Sequence, residues 1–211
     1  MSISDAFPTP AHPDPRRGEP SWDLALQYPL QGAWSVDEYL ALDTGLLVEY
    51  TDGIVRVLAM PSLLHQWIVK YLFGCLNDHV CQHETGEVYF APLPVKLSES
   101  KYREPDIVYV RPQRIATLHG HPTGADLAVE VVSEGKESRD RDYIEKREEY
   151  ARAGIDEYWI VDPQDKVITV LTLDGSEYRT HGTFANSDKA TSLLLSGLEV
   201  DVASVFARCE E

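Results

Sequence analysis

Helical patterning is longest over residues 62–82, where Leu64, Trp67, Ile68, Tyr71, Leu72, Cys75 and Leu76 recur at three- and four-residue intervals behind a capping Ser62. Gly86 is placed to close that helix. A shorter helix, to about Leu42, opens at Ser35-Val36-Asp37-Glu38, where Ser35 and Glu38 have the spacing of a capping box. Between the two helices lie Leu46-Leu47-Val48-Glu49-Tyr50 and Ile54-Val55-Arg56-Val57-Leu58, joined through Asp52-Gly53. Two apolar runs around Asp-Gly predict a β-hairpin. Further strands are predicted near 87–97, 105–110 and 126–133. A charge-rich helix is expected from Arg139 to Ala153, ending at Gly154. Glu157–Val161 and Lys166–Leu173 read as a second hairpin, followed by a strand near 177–184 and an apolar patch from Leu193 to Leu198. The order α-β-β-α-β-β-β-α-β-β predicts a mixed sheet with few helices, an α/β or α+β fold rather than a doubly wound one.

Before residue 30 the pattern stops, and six of the 13 prolines fall there. Proline fixes φ and removes a backbone donor, so residues 1–30 are read as a Pro-rich mobile arm and 31–211 as one domain. The remaining composition is ordinary for a globular protein, 43% apolar and 26% charged. With 19 Lys and Arg against 35 Asp and Glu, the formal charge is −16. That argues against a sequence-independent nucleic-acid coat, which needs basic surface, but not against a local metal site or groove. Three cysteines are too few and odd in number for a disulfide framework. The start, Met1-Ser2-Ile3-Ser4-Asp5, lacks the features of a secretory signal, and no apolar run approaches the ~20 residues of a membrane span. A cytoplasmic location is the expectation.

Chemistry concentrates in the middle of the chain. Glu104-Pro105-Asp106 places a carboxylate at the start of the apolar run Ile107-Val108-Tyr109-Val110. In Leu127-Ala128-Val129-Glu130-Val131-Val132, strand alternation puts Glu130 on the face opposite Leu127, Val129 and Val131. A carboxylate there needs a partner or a shifted pKa, and a hard divalent cation would satisfy it. A strand-end Glu130 and a turn-capping Asp106 are the structural alternative. Asp142 and Lys146 are four apart on the next helix, with Tyr150 continuing the stripe. They read either as a surface ion pair or as a lysine aimed at a carboxylate–metal centre. Cys75, His79 and His83 also share a helical face, but three side chains spread along about 12 Å of axis suit a tetrahedral zinc poorly. His119 and His121 fall in a loop, and no glycine-rich phosphate loop or nucleophile elbow is present.

Pro105-Asp106, Val129-Glu130-Val131-Val132-Ser133, Asp142-x-x-x-Lys146-x-x-x-Tyr150 and Gly154-Ile155-x-Glu157-Tyr158-Trp159-Ile160-Val161-Asp162 together resemble the Uma-two family. That family is grouped with restriction endonucleases in the PD-(D/E)xK nuclease superfamily. Glu49-Tyr50-x-Asp52-Gly53 resembles its early hairpin and His65 its histidine at the start of the long helix, so that the likeness spans about residues 34 to 180. The resemblance implies a restriction-endonuclease-like core, a mixed β-sheet flanked by helices. It implies that Asp106 and Glu130 hold Mg²⁺ (or Mn²⁺) with the Val131 carbonyl, that Glu49 is the N-terminal acid of the site, and that His65 and Asp142 are accessory. The parent motif has lysine two residues after the glutamate, where this chain has Val132. The resemblance implies that Lys146 takes that lysine's place. The implied activity is metal-dependent hydrolysis of DNA phosphodiesters, with homodimers common in the superfamily. A non-catalytic interaction module that keeps the fold is the alternative, favoured by the acidic surface.

Overall fold

The computed structural model describes residues 28–43, 45–185 and 187–209. Most of the Pro-rich arm lies outside the described residues; of its last part, Tyr28 stacks on Trp34 with ring centroids 5.8 Å apart. Helix α1 (Val36–Leu40) opens as its capping box predicts: the Glu38 amide donates to Ser35 Oγ (3.2 Å), and the Ser35 amide donates to the Glu38 carboxylate (2.8 Å). Strands β1 (Val48–Thr51) and β2 (Ile54–Val57) form the predicted hairpin. Asp52 and Gly53 both take positive φ (48° and 80°), the pair of left-handed residues that a tight hairpin of the correct twist requires.

Helix α2 (Leu63–His83) is capped by Ser62, whose Oγ accepts from the His65 amide at 3.1 Å. Its left-handed closing residue is Glu84 (φ 51°), not Gly86. Gly86 serves close approach instead: a Cβ there would stand 2.5 Å from the Val110 carbonyl oxygen. The segment predicted as one strand near 87–97 is two. Strand β3 (Glu87–Phe90) joins one sheet and β4 (Val95–Ser98) another, because Pro92 and Pro94 interrupt the ladder between them. Strand β5 (Lys101–Arg103) was not legible; its three residues carry two charges and no apolar alternation.

Strands β6 (Ile107–Val110), β7 (Leu127–Val131), β8 (Glu157–Asp162), β9 (Val167–Asp174) and β10 (Glu177–Ala185) complete a six-stranded sheet, ordered β10-β9-β8-β7-β6-β3. Only β7 and β8 run parallel within it, so the sheet is mixed. The smaller sheet is ordered β2-β1-β5-β4. Strands β11 (Lys189–Thr191) and β12 (Glu199–Asp201) pair separately and lead into α5 (Val202–Val205). The stretch from Leu193 to Leu198 is a loop that buries Leu195 and Leu198.

Alternation along β7 divides the core. Leu127, Val129 and Val131 pack with Ile68, Leu72 and Leu76 of α2. Ala128 and Val132 face the other way, into a cluster with Tyr150 and Tyr158. The expected helix over Arg139–Ala153 is broken into α3 (Lys136–Asp140), a π-helical turn (Arg141–Glu145) and α4 (Lys146–Arg152). Gly154 (φ 73°) ends α4 as predicted, with the amides of Gly154 and Ile155 donating to the carbonyls of Ala151 and Tyr150. No helix of the described residues is long and apolar enough to cross a membrane.

Candidate active site

Strand register brings the first two carboxylates together. Ile107 pairs with Val129, so one position further Asp106 faces Glu130. Asp106 Oδ2 accepts the Val131 amide at 2.7 Å and lies 3.3 Å from His65 Nε2. His65 stands on the first turn of α2, fixed there by the Ser62 cap. Burial opposes its charge, but the Asp106 carboxylate, helped by Glu130, lifts its pKa above the ordinary value.

Glu130 lies on the opposite face of β7 from the α2 core, as alternation requires. It is 4% exposed and has two donors on one oxygen: Lys146 Nζ at 2.8 Å and the Tyr150 hydroxyl at 2.5 Å. Lys146 and Tyr150 are one helical turn apart on α4, so one face of that short helix supplies both. Lys146 is 2% exposed, and Glu49 Oε1 (3.4 Å) and Asp142 Oδ1 (3.7 Å) are also close to its ammonium. Glu49 comes from β1 of the smaller sheet, with the Arg103 guanidinium 3.5 Å from its other oxygen. The site therefore sits where the two sheets meet α4. Asp142 lies in the π-helical turn, its carboxylate accepting from Arg141 Nε (3.2 Å) and its carbonyl from the Tyr158 hydroxyl (2.9 Å).

Burial pushes the Glu130 carboxyl up to about 8; the Lys146 charge pulls it down, while Asp106 and Asp142 raise it further. Burial likewise raises Asp142 against the pull of Lys146 and Arg141. Burial disfavours the Lys146 charge, yet Glu130, Glu49 and Asp142 hold its proton well above the ordinary lysine range. The cluster thus favours retaining protons at neutral pH, the state expected where carboxylates outnumber the cations that reach them. Two of its buried atoms, Glu49 Oε1 and His65 Nδ1, have no hydrogen-bond partner among the described residues.

All seven positions singled out in the sequence (Glu49, His65, Asp106, Glu130, Val131, Asp142 and Lys146) join one chain of contacts. Sequence reasoning did not find Arg103, whose guanidinium is held by Glu149 (2.8 and 2.9 Å) and Thr51 (3.0 Å) while facing Glu49. It also missed Glu104, a buried carboxylate that accepts the Val48 amide at 3.0 Å. The charged pair directly before Pro105-Asp106 was the available signal for both. Cys75, His79 and His83 lie apart from this cluster; the two histidine rings stack at 4.3 Å near the end of α2.

Among the described residues, no three His, Cys, Asp or Glu side chains gather closely enough to hold a metal by themselves. The donor set still suits a hard cation. Asp106 and Glu130 supply carboxylate oxygens with no thiolate among them, and Mg²⁺ commonly takes one or two carboxylates, completing its shell with water and phosphate. The raised Glu130 carboxyl is the state such a cation would relieve.

Residues 36–203 match the Uma2 family, described as "Putative restriction endonuclease". The chain belongs to this family. A solved structure described as a putative nuclease belonging to DUF820, from Anabaena variabilis ATCC 29413, has a TM-score of 0.67 to this Uma2 chain. The two share 18% identity over 86% of this chain and 99% of the other, so the likeness speaks for the fold. No curated protein matches the sequence.

Proposed function

We propose that this Uma2 protein is a metal-dependent nuclease that hydrolyses phosphodiester bonds in DNA. The observation that carries the reading is the convergence of Asp106, Glu130 and Lys146, which lie far apart in sequence, at one buried site in a chain of this family. Asp106, Glu130 and the Val131 carbonyl would hold Mg²⁺ or Mn²⁺. Once bound there, the ion supplies Lewis acidity toward the phosphate and toward water. The protein's own groups set the conditions. Lys146 takes the place of the lysine that Val132 displaces from the parent motif, and its charge, close to Glu130, pulls that buried carboxyl back toward its ionised form. Tyr150 fixes the Glu130 oxygen it shares with Lys146. Glu49 holds Lys146 from the other sheet. His65 orients Asp106, whose second contact is the Val131 amide. Cleavage would leave a 5′-phosphate and a 3′-hydroxyl.

The absence of a ready three-ligand group among the described residues, with the net charge of −16, favours a second reading. This is a non-catalytic module that keeps the fold. Supercoiled plasmid incubated with Mg²⁺ or Mn²⁺ separates the two. The wild-type protein should nick or linearise it, while EDTA and Glu130→Ala should each stop cleavage. No cleavage by the wild type with either ion would sink the nuclease reading in favour of the module.

A further inference from the structure

We propose that Arg141 is the residue that grips a phosphate of the bound DNA, while Lys146 acts on the carboxylates rather than on the substrate. The inference rests on the nuclease reading above and assigns the substrate contact within that site. It begins with what Lys146 cannot do. Its ammonium has three protons to donate, three carboxylates lie within 3.7 Å, and 2% of the side chain is exposed. A phosphate could reach it only by displacing one of those carboxylates.

Arg141 stands differently. It is the first residue of the π-helical turn and the immediate neighbour of Asp142. Its Nε donates to Asp142 Oδ1 at 3.2 Å, which fixes one edge of the guanidinium. The two terminal nitrogens make no hydrogen bond among the described residues, and 21% of the side chain is exposed. The charges of Glu130 and Glu49 act on Arg141, and Arg141 in turn acts against the charge of Lys146, so it belongs to the same cluster. A planar fork with free donors at the edge of a carboxylate centre is the geometry that phosphate oxygens take in pairs.

The other cations nearby are engaged. Arg103 is held by Glu149 and Thr51, Lys101 by Glu149, and Arg139 by Asp162 and Asp165. Arg147 donates to the Tyr178 carbonyl (3.1 Å) and lines the outer groove between the π-turn, α4 and the β9–β10 hairpin. In a chain of charge −16, a guanidinium beside the carboxylates with its two terminal nitrogens free among the described residues gives the phosphate backbone a local point of attraction that the whole surface does not offer.

The test measures binding of the full-length protein to a short fluorescein-labelled DNA duplex by anisotropy, with Ca²⁺ in place of Mg²⁺ to hold cleavage back. Arg141→Ala should weaken binding by about tenfold or more and lower the slope of log affinity against log salt by about one. Arg141→Lys should recover part of the affinity and all of the slope, because it keeps the charge without the fork. Arg147→Ala removes the same charge from the outer groove and should change neither. Wild-type affinity and slope in Arg141→Ala would overturn the proposal, as would a wild-type protein that does not bind. Should Arg141→Ala fail to fold, Arg141→Lys decides, and wild-type affinity in that variant overturns the assignment. Plasmid cleavage in Mg²⁺ is scored separately. No cleavage, with the binding results as expected, removes the nuclease reading and leaves Arg141 as the phosphate contact. Cleavage with an unaffected Arg141→Ala removes only the Arg141 assignment.

Discussion

A lysine with three carboxylates within 3.7 Å and almost no solvent cannot be deleted without consequence for the fold. Removing one partner of a buried ion pair costs about 3–5 kcal/mol, which for a chain of this size lowers the melting temperature by roughly 10 °C. Lys146→Ala should show that loss by circular dichroism at pH 8, and a smaller loss at pH 5, where Glu130, pushed up to about 8, carries its proton and repels its neighbours less. An unchanged melting temperature at pH 8 would mean that Lys146 is not the cation holding the cluster together. Glu104 gives a second pH signature. Burial pushes its carboxyl from 4.5 up to about 7 in the folded state. A raised folded pKa means stability present below 4.5 and lost as pH rises through 7. Glu104→Gln, whose amide oxygen can still accept the Val48 amide, should therefore gain on the wild type between those two pH values. Parallel melting curves for the two proteins across that window would contradict the shift.

Glycines at element ends separate two kinds of cost. Gly154, with φ 73° and nothing within 4 Å of where an added methyl would sit, faces only the backbone penalty of the left-handed region. Gly154→Ala should cost about 1–2 kcal/mol, roughly 2–8 °C by calorimetry. At Gly86 the added methyl meets the backbone oxygen of Val110 at 2.5 Å, so Gly86→Ala should cost more than Gly154→Ala, and the reverse order would refute the account. Elements with one uninterrupted period were legible: α2 by its apolar stripe, the β1–β2 hairpin by Asp52-Gly53, and β6, β7 and β8 by their apolar runs. The division of 87–98 between two sheets was not, because side-chain alternation says nothing about which neighbour a strand finds. Nor was the π-helical turn, since Asp142 and Lys146 share a face whether or not the turn widens between them. Asp106 and Glu130 stood out because each is a carboxylate beside an apolar strand. Arg103 did not, because its position beside Pro105-Asp106 was the one local hint and its partner Glu149 is 46 residues away.

At the scale of the whole chain, the surplus of 16 negative charges and the buried carboxylates push the same way. On the nuclease reading, a divalent ion held by Asp106 and Glu130 would relieve both, and a ligand that binds only the native state raises stability by mass action. Mg²⁺ or Mn²⁺ at ten times its dissociation constant should add about 1.4 kcal/mol, a rise of roughly 3–6 °C in the melting temperature. The rise should vanish in Asp106→Asn/Glu130→Gln, and a wild-type curve indifferent to both ions would count against the metal site. The mixed sheet and its flanking helices agree with what the order of predicted elements and the family resemblance implied, and with the Anabaena variabilis structure. That agreement comes from the run of strands and helices; the site depends on long-range neighbours that only the folded chain brings together.

Glu49 reaches Lys146 from the smaller sheet, while Asp106 and Glu130 belong to the larger one, and Lys101 and Arg103 clasp Glu149 across the same seam. This seam is an interlock. A chain with its large sheet formed but its small sheet undocked already has the Asp106–Glu130 pair, but Lys146 lacks the acid that holds it from the far side. On the nuclease reading, the power to cut genetic material is withheld until the last large piece has seated, and it lapses whenever that piece lifts away.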